Sequence, residues 1–585
     1  LKRVVTNMAR FDAAPGSQLQ PAKVRYHQVD GNSLTIGHVV SKTPPPPGST
    51  SFHSVEVVHA GGPVAERLRR APRIDATYPV RFHELPETGC SPAREFAAIF
   101  EVLEGMMLAK ANRQSLVLWV GRPDKPELDG FAGFLGMLPF RGISVALVSA
   151  DAVRYPDPFS YRTPSGVLEH DANDPARMGK CCVSAMFGPL PARSFTARLR
   201  EWAPIDVQPP AGCAELLRLP FKIAGLPLPM ITYAGEYEKG VAALAERISA
   251  AYPAGSLCPI VSCGEVVDRL GYGLDVLAAL RERGHAGHYF THKSGETSKR
   301  WAEYGKPELL GWVAQAKAAG QTPLFIAVGG GCNGNATGVV AAMTGAAFVE
   351  VPTTPLHYND ATTSAKKAFS LVLDGKIRAK NLLGTFYLPR LVWCINETFL
   401  TSSTASVHST VGECTKTMNM LADPSSAAGR ADYANILGAN EFASDTTRIL
   451  SCIDGFEALV HFIEDAPTRE AKAAVLRLGE AIAEARAAAQ CGTETARAAY
   501  ASLCEGRRQL LQRFRARFYE LPTAARVAID AFLTVSNKEI VGAKAMFLAY
   551  EDPFEKYRAL LFEYAHTLGH AVEAWLAGAI DTARA

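Results

Sequence analysis

The sequence predicts an α/β protein in three parts: an N-terminal α/β module of unknown fold, a parallel α/β nucleotide-binding domain and an all-α domain. Two observations predict the later parts: apolar segments alternate with helical patterns between about residues 228 and 395, and the pattern is helical after that. A third is the length of 585 residues, which is more than one hydrophobic core usually holds.

We expect the chain to divide at its proline-rich segments. Residues 1–50 are predicted to be an extended lead-in that closes with the polyproline spacer at 44–49. An α/β module at 51–215 follows, whose function the sequence does not indicate. A proline-rich joint at 209–229 introduces the nucleotide-binding domain at 228–395, and a helical domain occupies 396–585.

Within the first module, strands are predicted at 54–59, 78–82, 115–120 and 143–149, and helices near 92–111 and 130–138. Its histidines (His53, His59, His83 and His170) show no metal-ligand spacing, so we interpret them as structural or surface residues. In the second half, strands are predicted at 230–233, 259–262, 287–291, 323–328 and 347–351, and helices at 240–251, 267–283, 301–319 and 337–343. A helical pair is predicted at 469–518, with its charges forming a solvated face.

Composition excludes several classes of function. The net charge is only +3 and no basic stripe is interleaved with aromatic residues, so a nucleic-acid partner is not expected. No apolar run approaches the roughly 20 residues that span a bilayer, so a membrane partner is not expected either. The 12 cysteines are scattered without a CxxC pair, which favours a reducing cytoplasm. Because the chain begins at Leu1 without Met, a targeting segment stays open.

The most informative stretch is Gly329-Gly330-Gly331, which directly follows the predicted strand at 323–328. An apolar strand that breaks into glycines and continues as a small-residue helix can bring main-chain N–H groups against a pyrophosphate. A tight connection without a ligand is the alternative, since the spacing is not GxGxxG.

Further groups of polar residues share the second half. They are Glu296 with Lys299, Thr353-Thr354 followed by Asp360 and Lys366, Lys380-Asn381, Glu413 with Lys416, and His566 with His570. Lysines near a nucleotide turn can supply charge for a phosphate, and histidines at i,i+4 can face one metal ion. Taken singly, each carboxylate–lysine pair also reads as a helical ion pair, and the histidines as surface or core residues.

The ordered set of these groups resembles the sugar phosphate cyclases, the family of dehydroquinate synthase, over residues 228 to 575. The resemblance implies a tightly bound NAD, a divalent metal (zinc or cobalt), a phosphorylated sugar as substrate, and a homodimer. It also implies that one site forms a carbocycle in several steps.

The resemblance assigns roles by position. NAD would be bound by Glu296, Lys299, Gly329, Gly330, Gly331, Asn335, Thr353, Thr354, Lys380 and Asn381, the last two also lying near the phosphate. Glu413 and His566 would bind the metal. The catalytic residues would be Lys366 and His570 at the phosphate and Asp360, Lys416, Lys544 and Glu563 at the sugar hydroxyls.

Three departures from dehydroquinate synthases resemble the 2-deoxy-scyllo-inosose synthase branch: Asn335, Ser364-Ala365 before Lys366, and Glu563. The arginine that holds a substrate carboxylate in dehydroquinate synthases would fall at Ala559. Arg558 is adjacent, but one step along a helix turns a side chain by about 100°. A neutral hexose phosphate such as glucose 6-phosphate is therefore the expected substrate, with a heptulose phosphate, as in 3-dehydroquinate synthase, as the alternative.

The family's third metal ligand is a histidine beyond His570, and residues 571–585 contain none. Three explanations stay open: a longer natural chain, a ligand from elsewhere such as His408 or His357, or loss of the metal. The last would make this a degenerate cyclase domain that serves as an NAD-binding or scaffold module. A metal-dependent polyol dehydrogenase of related fold is a further alternative.

Overall fold

The computed structural model describes residues 202–208, 215–223, 225–373, 375–419, 427–437 and 452–549. Before residue 202 it describes eight short strands and the helical residues 98, 100 and 101. The chain forms two compact units: Leu1–Glu201 with Leu382–Thr385, and Trp202–Asn381 with Phe386–Ala585.

The first unit contains a four-stranded parallel sheet. Its strands are β3 (Ser54–His59), β4 (Val80–Glu84), β5 (Ser115–Val120) and β6 (Ile143–Val148), arranged in the order β4-β3-β5-β6. All four strands were predicted from the sequence. Two antiparallel pairs were not: β1 (Val24–Tyr26) with β2 (Gly37–Val39), inside the predicted lead-in, and β7 (Ser160–Thr163) with β8 (Gly166–Glu169). The predicted helix at 130–138 lies outside the described residues.

The second unit is built on a seven-stranded sheet. Its strands are β9 (Leu216–Ile223), β10 (Leu226–Tyr233), β11 (Leu257–Gly264), β12 (His288–His292), β13 (Thr322–Gly329), β14 (Ala347–Pro352) and β17 (Leu391–Ile395). They lie in the order β12-β11-β13-β14-β17-β10-β9 and are parallel except for β9, which is antiparallel to β10. A separate two-stranded sheet holds β15 (Lys366–Leu373) and β16 (Lys376–Phe386).

Helices alternate with the strands of the sheet up to β14, and after β17 the described elements are helical. The first six are α1 (Tyr237–Ala251), α2 (Glu265–Leu270), α3 (Tyr272–Glu282), α4 (Trp301–Tyr304), α5 (Pro307–Ala318) and α6 (Gly331–Thr344). The later six are α7 (Thr404–Asn419), α8 (Ala427–Leu437), α9 (Ile453–Glu464), α10 (Ala466–Cys491), α11 (Glu494–Glu520) and α12 (Thr523–Leu548). The predicted fold class, a parallel α/β domain followed by a helical region, is confirmed.

Two sequence interpretations need correction. The proline-rich joint is in large part the strand pair β9–β10, in which Pro220 lies opposite Pro229. Pro220 is tolerated because β9 is an edge strand, and Pro229 is tolerated because it precedes the part of β10 that pairs with β17. The helix predicted at 267–283 is divided at Gly271, whose φ of 89° ends α2 in the left-handed region.

The strand order fixes where a ligand can bind. β11 has β12 on one side and β13 on the other, so the chain reverses its direction across the sheet between β11 and β13. The crevice at the carboxyl ends of strands at such a reversal is the usual ligand site of an open α/β sheet. Gly264 ends β11 and Gly329 ends β13, so the glycine turn lies at this crevice.

The helical pair α10–α11 confirms the predicted pair, but its charges do not form only a solvated face. Arg507 and Arg515 are 3% and 4% exposed. Arg515 Nη1 donates to Glu238 Oε1 at 2.8 Å, and Arg486 Nη2 to Asp268 Oδ1 at 2.6 Å. Arg515 therefore bonds the helical pair to α1, and Arg486 bonds it to α2. Among the described residues no helix is both long enough and apolar enough to cross a membrane.

Candidate active site

The glycine turn joins β13 to α6. Gly330 is the N-cap of α6 and Gly331 is its first residue. A Cβ atom on Gly330 would meet nothing nearer than Thr354 Oγ1 at 3.9 Å, and one on Gly331 would lie 3.6 Å from Ala361 Cβ. The first N–H groups of a helix lack intrahelical partners, and here no side chain of the turn covers them. The turn can therefore accept an anion.

Asn333 fixes the position of the glycine turn through hydrogen bonds to β11, β12 and β13. Its Oδ1 accepts hydrogen bonds from Ser262 Oγ at 2.8 Å and Thr337 Oγ1 at 3.0 Å, and lies 2.9 Å from His292 Nε2. Its Nδ2 donates to the carbonyls of Ser262 and Val328 at 2.9 and 3.1 Å. One buried amide thus joins the ends of three neighbouring strands. The predicted cofactor residue Asn335 is half-buried on the same helix.

Glu296 lies beside the turn, in the 3₁₀ segment Glu296–Ser298. Its Oε1 accepts a hydrogen bond from Ser370 Oγ at 2.6 Å, and its Oε2 accepts one from Cys332 Sγ at 3.0 Å. Lys299 Nζ is 3.4 Å from Oε1, so the simple i,i+3 ion pair is present as well.

The electrostatics of Glu296 favour a permanent negative charge. Burial acts to raise its pKa, but Lys299, the hydrogen bonds from Cys332 and Ser370, and the charge of Lys380 outweigh burial and bring the pKa to about 2. Burial, reinforced by the Glu296 charge, raises the pKa of the Cys332 thiol to about 12. Cys332 is therefore a neutral hydrogen-bond donor at physiological pH.

Lys299 connects this cluster to β16. Its Nζ donates to Asn381 Oδ1, and Asn381 has a φ of 50°, in the left-handed region. Asparagine tolerates that conformation better than most residues. The structure thus brings together four of the predicted cofactor residues: Glu296, Lys299, Lys380 through its charge, and Asn381.

Thr353 and Thr354 follow β14 on the other side of the turn. The Thr353 N–H donates to the Gly329 carbonyl at 3.0 Å, and Thr354 Oγ1 accepts from the His357 N–H at 3.2 Å. Both threonines therefore shape the rim of the glycine turn.

A second cluster gathers predicted catalytic and metal residues from three elements. Lys544 Nζ of α12 donates to Asp360 Oδ1 at 2.7 Å and to the Asp360 carbonyl at 3.1 Å. The same Nζ is 3.8 Å from Glu413 Oε1, and Lys416 Nζ is 2.7 Å from Glu413 Oε2. Ala361, next to Asp360, is the residue that faces Gly331. The second cluster therefore begins directly beside the glycine turn.

Glu413 has the features of a metal ligand. Its Oε1 is buried without a hydrogen-bond partner. Burial and then the Asp360 charge raise its pKa, against the opposing effects of Lys544 and Lys416. A buried carboxylate oxygen that no donor satisfies fits a cation. Glu413 would hold the metal here, and the other predicted ligand, His566, lies outside the described residues, as do Glu563, His570 and Ala559.

Neither substitute histidine joins this site. His357 is buried, with Nδ1 donating to the Gly329 carbonyl at 2.6 Å and Nε2 3.5 Å from Glu350 Oε1. His408 is exposed, and its Nδ1 donates to the Thr404 carbonyl at 2.8 Å. Within the described part of the chain, no three His, Cys, Asp or Glu side chains are grouped to hold a metal.

The two adjacent lysines at the start of β15 have different environments. Lys367 is fully buried and donates to Glu350 Oε1 at 2.9 Å. Lys366 is half-buried, and because neighbours on a strand point to opposite faces, it lies on the other side of β15. This leaves Lys366 as the candidate for the phosphate.

Sequence reasoning assigned no role to Asn333, Cys332, Ser370 or Glu350, and it did not predict that Glu350, His357 and Lys367 form one buried group. A polar residue two positions before an expected ligand, as Asn333 is before Asn335, gives no periodic signal. The pairing of Glu350 with Lys367 depends on two strands meeting, which sequence spacing does not encode.

Comparison with known proteins shows what the region around the glycine turn resembles. Residues 289–409 match the family profile for the 3-dehydroquinate synthase N-terminal domain. This part of the chain is therefore similar to the N-terminal domain of 3-dehydroquinate synthase. The chain is 33% identical over 181 residues to the 2-deoxy-scyllo-inosose synthase of Streptomyces paromomycinus, covering 31% of this chain and 43% of that protein. It is 30% identical over 147 residues to the 3-dehydroquinate synthase of Prochlorococcus marinus, covering 25% and 36% respectively.

The chain spans less than half the length of these curated relatives. A solved structure of 2-deoxy-scyllo-inosose synthase complexed with carbaglucose-6-phosphate, NAD+ and Co2+ is 19% identical, covering 61% of this chain and 70% of that one, with a TM-score of 0.33. The fold assignment therefore depends on the strand order described above.

Proposed function

We propose that this protein is an NAD- and metal-dependent sugar phosphate cyclase, of the 2-deoxy-scyllo-inosose synthase type, that converts glucose 6-phosphate to a carbocycle and releases phosphate. It would be a carbon–oxygen lyase. The observation that carries the proposal is that the glycine turn lies next to the cluster of Asp360, Glu413, Lys416 and Lys544. Gly331 faces Ala361, and the neighbouring Asp360 is bonded to Lys544, which lies beside Glu413.

The residues around the glycine turn support the proposal that the cofactor is NAD. A pyrophosphate would sit on the N–H groups of Gly330 and Gly331 at the N-terminus of α6. Glu296, which keeps its charge because of Lys299 and its hydrogen bonds, would accept hydrogen bonds from ribose hydroxyls. NAD, when bound, would supply removal and return of a hydride, and the metal would polarise the hydroxyl being oxidised.

The chain's own groups account for the rest of the chemistry. Lys366 would hold the phosphate, while Asp360, Lys416 and Lys544 would orient sugar hydroxyls and fix their protons. A ketone formed at one carbinol would acidify the adjacent C–H, so phosphate would leave as that proton is lost. With the hydride returned, ring opening and an intramolecular aldol closure would complete a sequence with no net oxidation.

The preference for a hexose phosphate depends on Ala559. A heptulosonate carries a carboxylate that needs a cationic partner, and alanine offers none. A heptulose phosphate remains the alternative substrate.

Substrate tests separate the candidate functions. With purified full-length protein, NAD and cobalt or zinc, we expect phosphate release from glucose 6-phosphate without accumulation of NADH. Phosphate release only from 3-deoxy-arabino-heptulosonate 7-phosphate would redirect the assignment to a dehydroquinate synthase. Steady accumulation of NADH would indicate a polyol dehydrogenase, and NAD binding without turnover would indicate a scaffold module.

The metal role of Glu413 has its own test. Glu413→Ala should lose the divalent ion, measured as metal per chain by mass spectrometry, and should lower phosphate release by more than the roughly 10- to 100-fold that the loss of an outer-shell partner of a metal ligand costs. The matched control is Glu457→Ala, which removes an exposed carboxylate from α9. A Glu413→Ala protein that keeps its metal would remove this residue from the site.

We also propose that the protein works as a homodimer in the cytoplasm on a phosphorylated sugar, without nucleic acid or membrane. Light scattering at micromolar concentration would report a mass near twice the 62.8 kDa of one chain.

A further inference from the structure

A buried polar group that packs against α6 has no part in the proposed chemistry. It consists of Glu350 in β14, His357 in the segment after β14, and Lys367 in β15. These residues are 0%, 2% and 0% exposed, and α6 meets them at Gly334 and Gly338. Because the three side chains are enclosed, any role that they have is exerted through the groups that they contact.

Stability does not account for this group. Lys367 Nζ donates to Glu350 Oε1 at 2.9 Å, but Glu350 Oε2 has no hydrogen-bond partner among the described residues. Burial acts to raise the pKa of Glu350, yet Lys367 and then His357 outweigh burial and hold that pKa below its usual range. Glu350 is therefore a buried carboxylate. Replacing a buried ion pair with uncharged side chains of similar volume is often neutral or stabilising, so the pair indicates a role other than stability.

One end of the group holds the glycine turn. His357 Nδ1 donates to the Gly329 carbonyl at 2.6 Å, and its Nε2 lies 3.5 Å from Glu350 Oε1. The same carbonyl accepts a hydrogen bond from the Thr353 N–H at 3.0 Å. Two donors thus fix the peptide group at which β13 passes into the turn.

The other end holds the segment that carries Asp360. Lys367 Nζ donates to the carbonyl of Ala361, the residue after Asp360, at 3.3 Å. His357 and Asp360 also belong to one π-helical turn, His357–Ala361. Such turns are rare in proteins and are frequently found at functional sites.

We propose that Glu350, His357 and Lys367 are positioning residues, which hold the glycine turn and the Asp360 segment at the separation that the reaction needs. Glu350 Oε1 connects the two ends, because it lies near both the imidazole and the ammonium group. The inference rests on the proposed function, since it requires a cofactor at the glycine turn and a sugar at Asp360.

The first test removes the charges and keeps the hydrogen bond to the turn. Glu350→Gln combined with Lys367→Met is nearly constant in volume and leaves His357 in place. We expect an unfolding temperature at or above that of the wild type and an NAD Kd close to the wild-type value. We expect kcat for phosphate release to fall by about 10- to 100-fold, because small displacements of reacting groups have effects of this size. The substrate is glucose 6-phosphate, or 3-deoxy-arabino-heptulosonate 7-phosphate if the wild type turns over only that compound.

The second test acts on the turn alone. His357→Leu removes the donor to the Gly329 carbonyl and should raise the NAD Kd by about 3- to 10-fold, the effect of one lost neutral hydrogen bond. His357→Asn can still place an N–H near that carbonyl and should restore most of the affinity. The matched control is Lys222→Met with Asp432→Asn, which removes an ion pair between β9 and α8 and should change neither Kd nor kcat.

The two tests have outcomes that contradict the inference. A double variant with wild-type kcat, or a His357→Leu protein with wild-type NAD affinity, would overturn the positioning role. A fall in kcat, NAD affinity and unfolding temperature together would show that the group is only structural. A wild-type protein that neither binds NAD nor releases phosphate would instead refute the proposed function, and the inference with it.

Discussion

Glu296 keeps a negative charge in a place where burial alone would favour the neutral acid. Two hydrogen bonds, from Ser370 and Cys332, and the ammonium of Lys299 compensate for the lost hydration. The difference between the ordinary value of 4.5 and about 2 corresponds to about 3 kcal/mol of preference for the charged form. The residue thus stabilises the fold and presents an acceptor to a ligand.

This gives a prediction with a defined pH window. Because the folded pKa is depressed, the stabilisation by Glu296 is fully present above pH 4.5 and is lost as the pH falls toward about 2. Glu296→Gln should lower the free energy of unfolding by up to about 3 kcal/mol at pH 7, and the difference from the wild type should shrink below pH 4.5.

Denaturant titrations of both proteins at a series of pH values measure that difference. The control is Glu308→Gln, an exposed carboxylate in the first turn of α5, whose effect should be small at every pH. A Glu296→Gln penalty that did not change between pH 7 and pH 3 would contradict the electrostatic account.

At the scale of elements, the buried side chains against which α6 packs restrict the residues that it can carry. A Cβ atom on Gly334 would lie 2.4 Å from His357 Nε2 and 2.7 Å from Glu350 Oε1. A Cβ atom on Gly338 would lie 2.8 Å from the Lys367 side chain. The helix needs glycines there because the buried group Glu350, His357 and Lys367 occupies the space that side chains would take.

Alanine substitutions in two helices should therefore have opposite effects. Gly334→Ala should destabilise the protein by about 1–3 kcal/mol, because fully buried polar groups cannot yield without losing their partners. Gly311→Ala in α5 meets nothing within 4 Å and should stabilise by about 0.5–1 kcal/mol, since alanine is the better helix former. Thermal unfolding of both variants measures the contrast, and a stabilising Gly334→Ala would show that the buried group can move.

The helical pair α10–α11 shows how far sequence reasoning extends at this scale. Its length and periodicity predicted two helices, and both are present. The side chains that anchor the pair were not predictable, because an arginine that pairs with Asp268 or Glu238 looks in sequence like any solvated charge. Similarly, strand β9 escaped prediction because its proline suggested a linker, and only its edge position makes that proline acceptable.

Arg515 should be the most costly of these arginines to remove. Its guanidinium lies 3.8 Å from the centre of the Tyr237 ring and bonds Glu238. Arg515→Ala should cost about 3–5 kcal/mol, since Glu397 beside it would be left buried without this cation. Arg508→Ala, which removes a half-exposed arginine paired with Glu505, should cost no more than about 1 kcal/mol. Equal effects in urea unfolding would contradict this difference.

At the scale of the whole molecule, several residues that the sequence predicts for one site lie close together in the structure. Gly331, Asp360, Glu413 and Lys544 are far apart in the chain, yet the structure links them through Ala361 and two ammonium groups. The ordered set of motifs predicts such convergence only through the family resemblance, because Glu413 and Lys544 lie within α7 and α12, where spacing alone indicates no shared site. It does not predict Asn333 or Ser370, whose roles are hydrogen bonds made across that edge.

The two compact units give the last prediction. Each has its own parallel sheet, and units with separate cores usually unfold as separate cooperative transitions. NAD at about 100 times its Kd should stabilise the unit that binds it by about 2.7 kcal/mol and leave the other unchanged. Scanning calorimetry should therefore show two transitions, of which one moves to higher temperature with NAD and stays fixed in Gly331→Pro. A transition that still moved with NAD in the Gly331→Pro protein would contradict the assignment of the cofactor to the glycine turn.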